Sequence, residues 1–267
     1  MRESILIAQA SDPHVTVPGV LMGGRVDTSA LFARCVERLA ALDPPPDLVI
    51  LSGDLANTGK PEEYQHLRRL LTGFQLPFRL MVGNHDDRDA LRDAFPEHAY
   101  LREDPRYVHC AFDAGPLRVL LLDTLDPGRD AGTLDAARLA WLAAQLDAEP
   151  RVPTLVFMHH PPFATGLAAM DAMRCDHADE LERLVRRHGQ VHVVACGHVH
   201  RPVVTRWAGA LAMTAPSTAH QIDLDLGADA PPRYTLEPPA FLLHRWSAGR
   251  LVTHVCPVGP FPGPYGF

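Results

Sequence analysis

Ten residues in five short motifs carry side chains of the kind that bind metal ions or move protons. They are Asp12 and His14 in Asp12-Pro13-His14, Asp54 in Gly53-Asp54, and Asn84, His85 and Asp86 in Gly83-Asn84-His85-Asp86. His159 and His160 in His159-His160-Pro161-Pro162 and His198 and His200 in Gly197-His198-Val199-His200 complete the set. Each motif alone also reads as an ordinary turn, because Asp, Asn, Gly and Pro are turn formers. Together they read differently. Six of the fifteen histidines fall inside these motifs. His198 and His200, at i and i+2, share one side of an extended segment, a spacing suited to joint ligation. Carboxylates, imidazoles and a carboxamide concentrated in this way have the chemistry of a metal site.

Each motif follows a predicted strand. Residues 4–10, 48–52, 78–82, 118–123, 154–158 and 191–195 are short apolar runs with the length of buried strands. Helical periodicity runs through 28–42, 87–95, 134–146 and 179–187, with Thr28 or Asp27 to cap the first of these. Pro61, Glu62 and Glu63 open another helix after the second strand. Strands alternating with helices predict an α/β domain around a largely parallel sheet, in which ligands bind outside the carboxyl ends of the strands. Five strand ends would then bring the motifs to one rim. Beyond about Arg201 the pattern changes: 203–207, 210–214, 240–246 and 251–255 read as strands without intervening helices. Residues 227–239 read as a loop, and the proline-rich stretch 257–264 as a tail lying on a surface. With no repeat or linker to divide it, the chain is expected to form one domain over 1–267. Its metal-binding core would span 1–206, and a β-rich extension with a Pro-rich tail would span 207–267.

Composition removes several function classes. At 267 residues, 46% hydrophobic and 21% charged, the chain can bury a sizeable core without disulfides. The five cysteines are odd in number and far apart with no C-x-x-C pair, so they predict single buried thiols in a reducing compartment. The net charge of −7, the lone lysine Lys60 and singly scattered arginines leave no electrostatic footprint for nucleic acid or an anionic membrane. The first apolar run, Ile5 to Ala8, is too short for a signal-peptide core, and no stretch reaches the length of a membrane span. A soluble cytoplasmic protein is expected.

In this order, D-x-H, G-D, G-N-H-D, H and G-H-x-H, the motifs resemble those of the calcineurin-like metallophosphoesterase family, from Asp12 to His200. Four segments are similar to the class III cyclic-nucleotide phosphodiesterases and, among them, to bacterial glycerophosphodiesterases. These are Gly59-Lys60-Pro61-Glu62-Glu63-Tyr64-Gln65, Gly83-Asn84-His85-Asp86-Asp87, Phe157-Met158-His159-His160-Pro161-Pro162 and Ser217-Thr218-Ala219-His220-Gln221. Pro13 departs from the family, which more often has Thr or Leu there. It biases Asp12 toward extended geometry, which should leave the ligands undisturbed.

The resemblance implies an α/β calcineurin-like sandwich, two central β-sheets flanked by helices, with the β-rich C-terminal extension. It implies that Asp12, His14 and His200 hold one divalent metal ion, that Asn84, His159 and His198 hold a second, and that Asp54 bridges them. Mixed oxygen and nitrogen donors without cysteine suit Mn, Fe, Co or Zn. A two-oxygen carboxylate suits a bridge between dications about 3.5–4 Å apart, and such a pair generates hydroxide from bound water at neutral pH. His85 would stabilise the phosphoryl group or protonate the leaving oxygen, with Asp86 as an orienting partner. Asn84, His85 and His220 would contact substrate, Asn57 would lie on the same rim, and His160 would pack behind the ligands. His66, His98, His109, His177, His188, His192, His244 and His254 are read as structural.

The implied function is a phosphodiesterase for small phosphodiesters, either glycerophosphodiesters or 3',5'-cyclic nucleotides. The alternatives are a phosphomonoesterase of the same fold or a scaffold that has lost catalysis. Arg88 and Arg201 flank two motifs, and whether they reach the site bears on that choice. The expected partner is a small phosphodiester, with no nucleic acid or membrane, and the Pro-rich tail is compatible with a homo-oligomer.

Overall fold

The apolar runs form strands at nearly the expected positions, but they divide between two sheets. The computed structural model describes residues 4–263 and 265–266. Met1, Arg2, Glu3 and Phe267, and Pro264 at the end of the predicted tail, lie outside the described residues. Strands β1 (Ser4–Ala10), β2 (Leu48–Ser52) and β3 (Phe78–Met81) are parallel, with α1 (Thr28–Ala40) and α2 (Pro61–Leu70) between them. Then come α3 (Arg88–Ala94), β4 (Cys110–Ala114), β5 (Leu117–Leu122), α4 (Ala136–Ala148), β6 (Thr154–Met158), α5 (Ala168–Asp171), α6 (Ala178–Arg187) and β7 (Val191–Cys196). The remaining strands are β8 (Val203–Trp207), β9 (Ala210–Thr214), β10 (Gln221–Ile222), β11 (Tyr234–Thr235), β12 (Ala240–Ser247) and β13 (Arg250–Pro257).

One sheet has the order β13-β12-β1-β2-β3 and the other β4-β5-β6-β7-β9-β8. The single, largely parallel sheet expected from the strand–helix alternation is therefore replaced by two mixed sheets, as the family resemblance implied. Strands after residue 207 do not form a separate layer. β9 pairs with β7, and β12 pairs antiparallel with β1, so these strands complete both sheets, while β10 and β11 pair with each other in a small two-stranded sheet.

The layers follow from a period of two along each strand. In β1, Ile5 and Ile7 face the other sheet while Ala8 and Ala10 face the helices; β6 divides in the same way, Leu155 and Phe157 against Val156 and Met158. Strands covered on both faces read as continuous apolar runs. Phe32, Leu39, Tyr64, Leu67 and Leu91 of α1, α2 and α3 cover the first sheet, and Leu142, Leu146, Leu181 and Leu184 of α4 and α6 cover the second. Asp27, not Thr28, caps α1 through its side chain, and Asp87 and Asp135 cap α3 and α4. Beneath the rim, Gln9 Nε2 donates to Ser52 Oγ and to the Cys196 carbonyl, tying the sheets together through a buried amide. Four cysteines are buried and Cys256 is half-buried, all as free thiols. Among the described residues, no helix is long and apolar enough to cross a membrane.

Candidate metal centre

The five motifs meet where the carboxyl ends of β1, β2 and β3 face those of β6 and β7. Asp12, His14, Asp54 and His200 are buried, and one ligand atom from each lies within 4.8 Å of the others. His159, His160 and His198 form a second such cluster. Asp54 lies between the two, with Oδ2 3.5 Å from His14 Nε2 and Oδ1 3.3 Å from His159 Nε2. Asn84 Oδ1 is 3.0 Å from His198 Nδ1. Asp12, His14, Asp54, Asn84, His159, His198 and His200 are thus brought together, with Asp54 within 3.5 Å of a histidine in each cluster and Asp12 Oδ1 3.8 Å from His159 Nε2.

The backbone is bent to achieve this. Asp12, His14, Asp54, His198 and His200 all have positive φ, between 44° and 68°, a region that costs a non-glycine residue about 1–2 kcal/mol. Asp12 was expected to be extended before Pro13, yet its φ is 54°. Its amide donates to Gly53 and its carboxylate accepts from the His198 amide, and these contacts override the proline bias. The chain also approaches very closely here. A Cβ on Gly83 would stand 2.2 Å from Asp54 Oδ1 and 2.6 Å from His159 Nε2.

Hydrogen bonds behind the rings decide which nitrogens face the centre. His159 Nδ1 is 2.9 Å from the Ser52 carbonyl, and His200 Nδ1 is 3.0 Å from the His220 carbonyl. A carbonyl only accepts, so each Nδ1 carries a proton, and Nε2 of the neutral His200 presents a lone pair. Asp54 raises the pKa of His159 to about 9 against the effect of burial, so its Nε2 gives up a proton when it takes a cation. His200 Nε2 then lies 3.1 Å from His14 Nε2 and 3.4 Å from Asp12 Oδ1. Donor atoms packed this closely repel unless they share a cation or a proton. His159 Nε2 and His198 Nε2 are buried without hydrogen bonds.

Burial lowers the pKa of His198 to about 3 and of His200 to about 4, and holds His14 well below the usual imidazole range. These rings are therefore neutral and available as donors. Burial alone would raise Asp54, but His159 foremost, and then His85, hold it ionised, well below the ordinary carboxylate range. Asp12 is raised by burial, partly countered by His159. This donor set fits a pair of borderline divalent cations.

Other predicted residues are placed more specifically. His85 donates its backbone amide to Asp54 Oδ1 at 2.9 Å, and its ring Nδ1 is 2.8 Å from the Asn57 carbonyl. Asn57, not Asp86, orients the ring. Asp86 instead accepts from the amides of Leu55, Ala56 and Gly83 and from Tyr64 Oη, fastening the β2 and β3 ends together. His220 lines the cavity and lends its carbonyl to His200. His160 is fully buried behind His159 and His198. Of the histidines read as structural, His109 stacks on Trp141 at 4.2 Å and His244 is buried against Thr253 and Gln9.

Over the metal positions lies a cavity of about 380 Å³ whose wall adds Met22, Asp130, Met170, Met173, Ile222 and Pro232. These wall residues were missed, because they come from loops without a spacing rule. Among the described residues, no lysine or arginine lines the cavity. Arg88 is committed to Asp123 through two bonds of 2.7 and 2.8 Å, and Arg201 to Glu237 and the Ile222 carbonyl.

A two-sheet sandwich whose facing strand ends converge on paired histidine–aspartate groups is the architecture of a dimetal phosphoesterase. The chain belongs to the calcineurin-like phosphoesterases, whose family model matches residues 5–202. It is 36% identical over 265 residues, 98% of this chain and 97% of the relative, to a probable glycerophosphodiester phosphodiesterase GpdQ of Arcobacter nitrofigilis. It is 28% identical over 219 residues, 81% of this chain and 77% of the relative, to the 3',5'-cyclic adenosine monophosphate phosphodiesterase CpdA of Escherichia coli. In fold it is similar to a dimetal phosphatase from Danio rerio, with a TM-score of 0.71 at 14% identity over 96% of each chain.

Proposed function

We propose that this chain is a binuclear-metal phosphodiesterase for small, singly charged phosphodiesters, with glycerophosphodiesters favoured over cyclic nucleotides. Asp12, His14 and His200 would hold one ion, Asn84, His159 and His198 the other, and Asp54 both. Two divalent ions held there would supply a hydroxide nucleophile near neutral pH and charge to match the phosphoryl oxygens. The protein's own part is to hold the ligands neutral or ionised as required and to aim His85. With Nδ1–H donated to Asn57, His85 has Nε2 left to act on the leaving oxygen or the phosphoryl group.

The observation that carries the diester reading is the cavity wall. A dianionic monoester gains most from an added cationic clamp, and none lines this cavity, which instead contains Asp130. Among the described residues the wall also lacks Phe, Tyr and Trp, so apart from imidazoles they offer no flat ring to a purine. Similarity over nearly the full length of a glycerophosphodiesterase supports the same choice.

The test compares Mn-loaded enzyme on bis(p-nitrophenyl) phosphate, glycerophosphoethanolamine, cyclic AMP and p-nitrophenyl phosphate. Higher kcat/KM for the two open-chain diesters is expected. A consistent preference for the monoester would overturn the reading. Asp130→Arg should move selectivity toward the monoester, which the same assay would detect.

A further inference from the structure

The imidazoles of the centre are not all supported alike. His159 and His200 each have Nδ1 against a carbonyl and Nε2 in the site. His198 is turned the other way, with Nδ1 3.0 Å from Asn84 Oδ1, so this is the end that faces the second metal position. A neutral imidazole that ligates through Nδ1 must carry its proton on Nε2. That Nε2 is buried and has no hydrogen-bond partner.

The ring of His160 lies against it, with centroids 4.6 Å apart and planes at 52°. His160 is itself fully buried, its Nδ1 is 2.8 Å from Thr124 Oγ1, and its Nε2 is likewise buried without a hydrogen bond. The backbone at Gly132 passes so near that an added Cβ would stand 2.4 Å from the ring, which clamps it in place. Two unpaired nitrogens therefore sit in neighbouring rings, one needing an acceptor and the other able to be one.

We infer that His160 is a positioning residue for the second metal: its Nε2 accepts the His198 Nε2 proton, while its own Nδ1–H donates to Thr124 Oγ1. The chain His198–His160–Thr124 fixes the tautomer and the tilt of His198 without His160 touching the ion. The competing arrangement turns His160 Nε2–H toward the Asp130 carbonyl, a weak influence on that ring, and leaves the His198 proton unaccepted. The inference rests on the metal-centre reading above, and the experiment separates the two.

Mn(II) binding to the full chain is measured by calorimetry for wild type, His160→Phe, His160→Gln and Thr124→Val, with the thermal midpoint of each metal-free protein as a check on folding. His160→Phe removes the acceptor, whereas His160→Gln puts an amide oxygen near the place of Nε2. The second Mn should weaken about 10–100-fold in His160→Phe, with the first unchanged, and recover most of its affinity in His160→Gln. Thr124→Val should weaken the second ion in the same direction but less; it keeps the ring and carries the test with His160→Gln if His160→Phe does not fold. Unchanged affinity in His160→Phe, no rescue by Gln, or no effect of Thr124→Val overturns the inference. Pulsed EPR should count the same number of coordinated imidazole nitrogens in wild type and His160→Gln, and loss of one would make His160 a ligand instead. Wild type that binds fewer than two ions would refute the metal-centre reading itself.

Discussion

At His85 a backbone oxygen decides which end of the imidazole can act. The Asn57 carbonyl takes the Nδ1 proton, and the neighbouring Asn84, proposed as a ligand, is a separate side chain from the His85 ring. His85→Ala should therefore keep both metals while kcat falls about 10²–10⁴-fold, the range for a lost acid or charge-stabilising group. Metal analysis beside turnover decides this, since loss of both together would make His85 a ligand. Asp54 is the opposite case. Its carboxylate approaches both His14 and His159, so Asp54→Asn, with the same shape and no charge, should lose most bound metal and nearly all activity. Two tightly held ions with ordinary turnover would remove it from the bridge.

At the scale of elements, strand ends and the loops between them set the geometry. Gly83→Ala would drive a methyl group into Asp54 and His159, whereas Gly189 has open space around its Cβ position. Gly83→Ala is expected to destabilise by about 1–3 kcal/mol through overpacking and to lower metal content. Gly189→Ala should do neither, as chemical denaturation and metal analysis would show. The buried chain from Thr253 through His244 to Gln9 joins β13, β12 and β1. Burial lowers the His244 pKa to about 4 from 6.5, so the folded protein prefers this ring neutral. Between pH 6.5 and 4 the unfolded chain takes up a proton that the folded one refuses, so stability falls as pH falls through that window. The whole effect is about 3 kcal/mol. Denaturation curves for metal-free protein should lose that part of their pH slope in His244→Gln.

Much of this level was legible in the sequence. Strands buried on both faces announce themselves as apolar runs, and the ligands lie immediately after them. β4 did not, because its residues are half-exposed and alternate weakly. The split into two sheets has no periodicity of its own, since parallel strands of either sheet read alike. The carbonyls of Asn57, Ser52 and His220 have no sequence signature, and Asp86 reads as a partner of its neighbour until the tertiary contacts show otherwise. Thr124, just after the end of β5, could have been found by extending the strand-end rule to a sixth strand.

Across the whole molecule, the centre draws ligands from both sheets. Ions bound there would cross-link the sandwich and offset the cost of holding five proposed ligand residues at positive φ. Mn at 100 times its Kd should stabilise the fold by about 2.7 kcal/mol per site, and chelation should reverse it. Unfolding midpoints with and without EDTA measure this, and Asp54→Asn should show little difference between the two.

The pairing of β1 with β12 also has a consequence for the protein during its synthesis. Synthesised well before its neighbour, β1 lies between β2 and a strand that begins at Ala240. Until residues 240–247 have emerged, β1 presents an open edge, an apolar template that can pair with another nascent chain. The Asp12-Pro13-His14 motif is thus made more than 200 residues before the strand that secures it. Shielding of that edge during translation, more than the stability of the finished fold, should limit the yield of native protein.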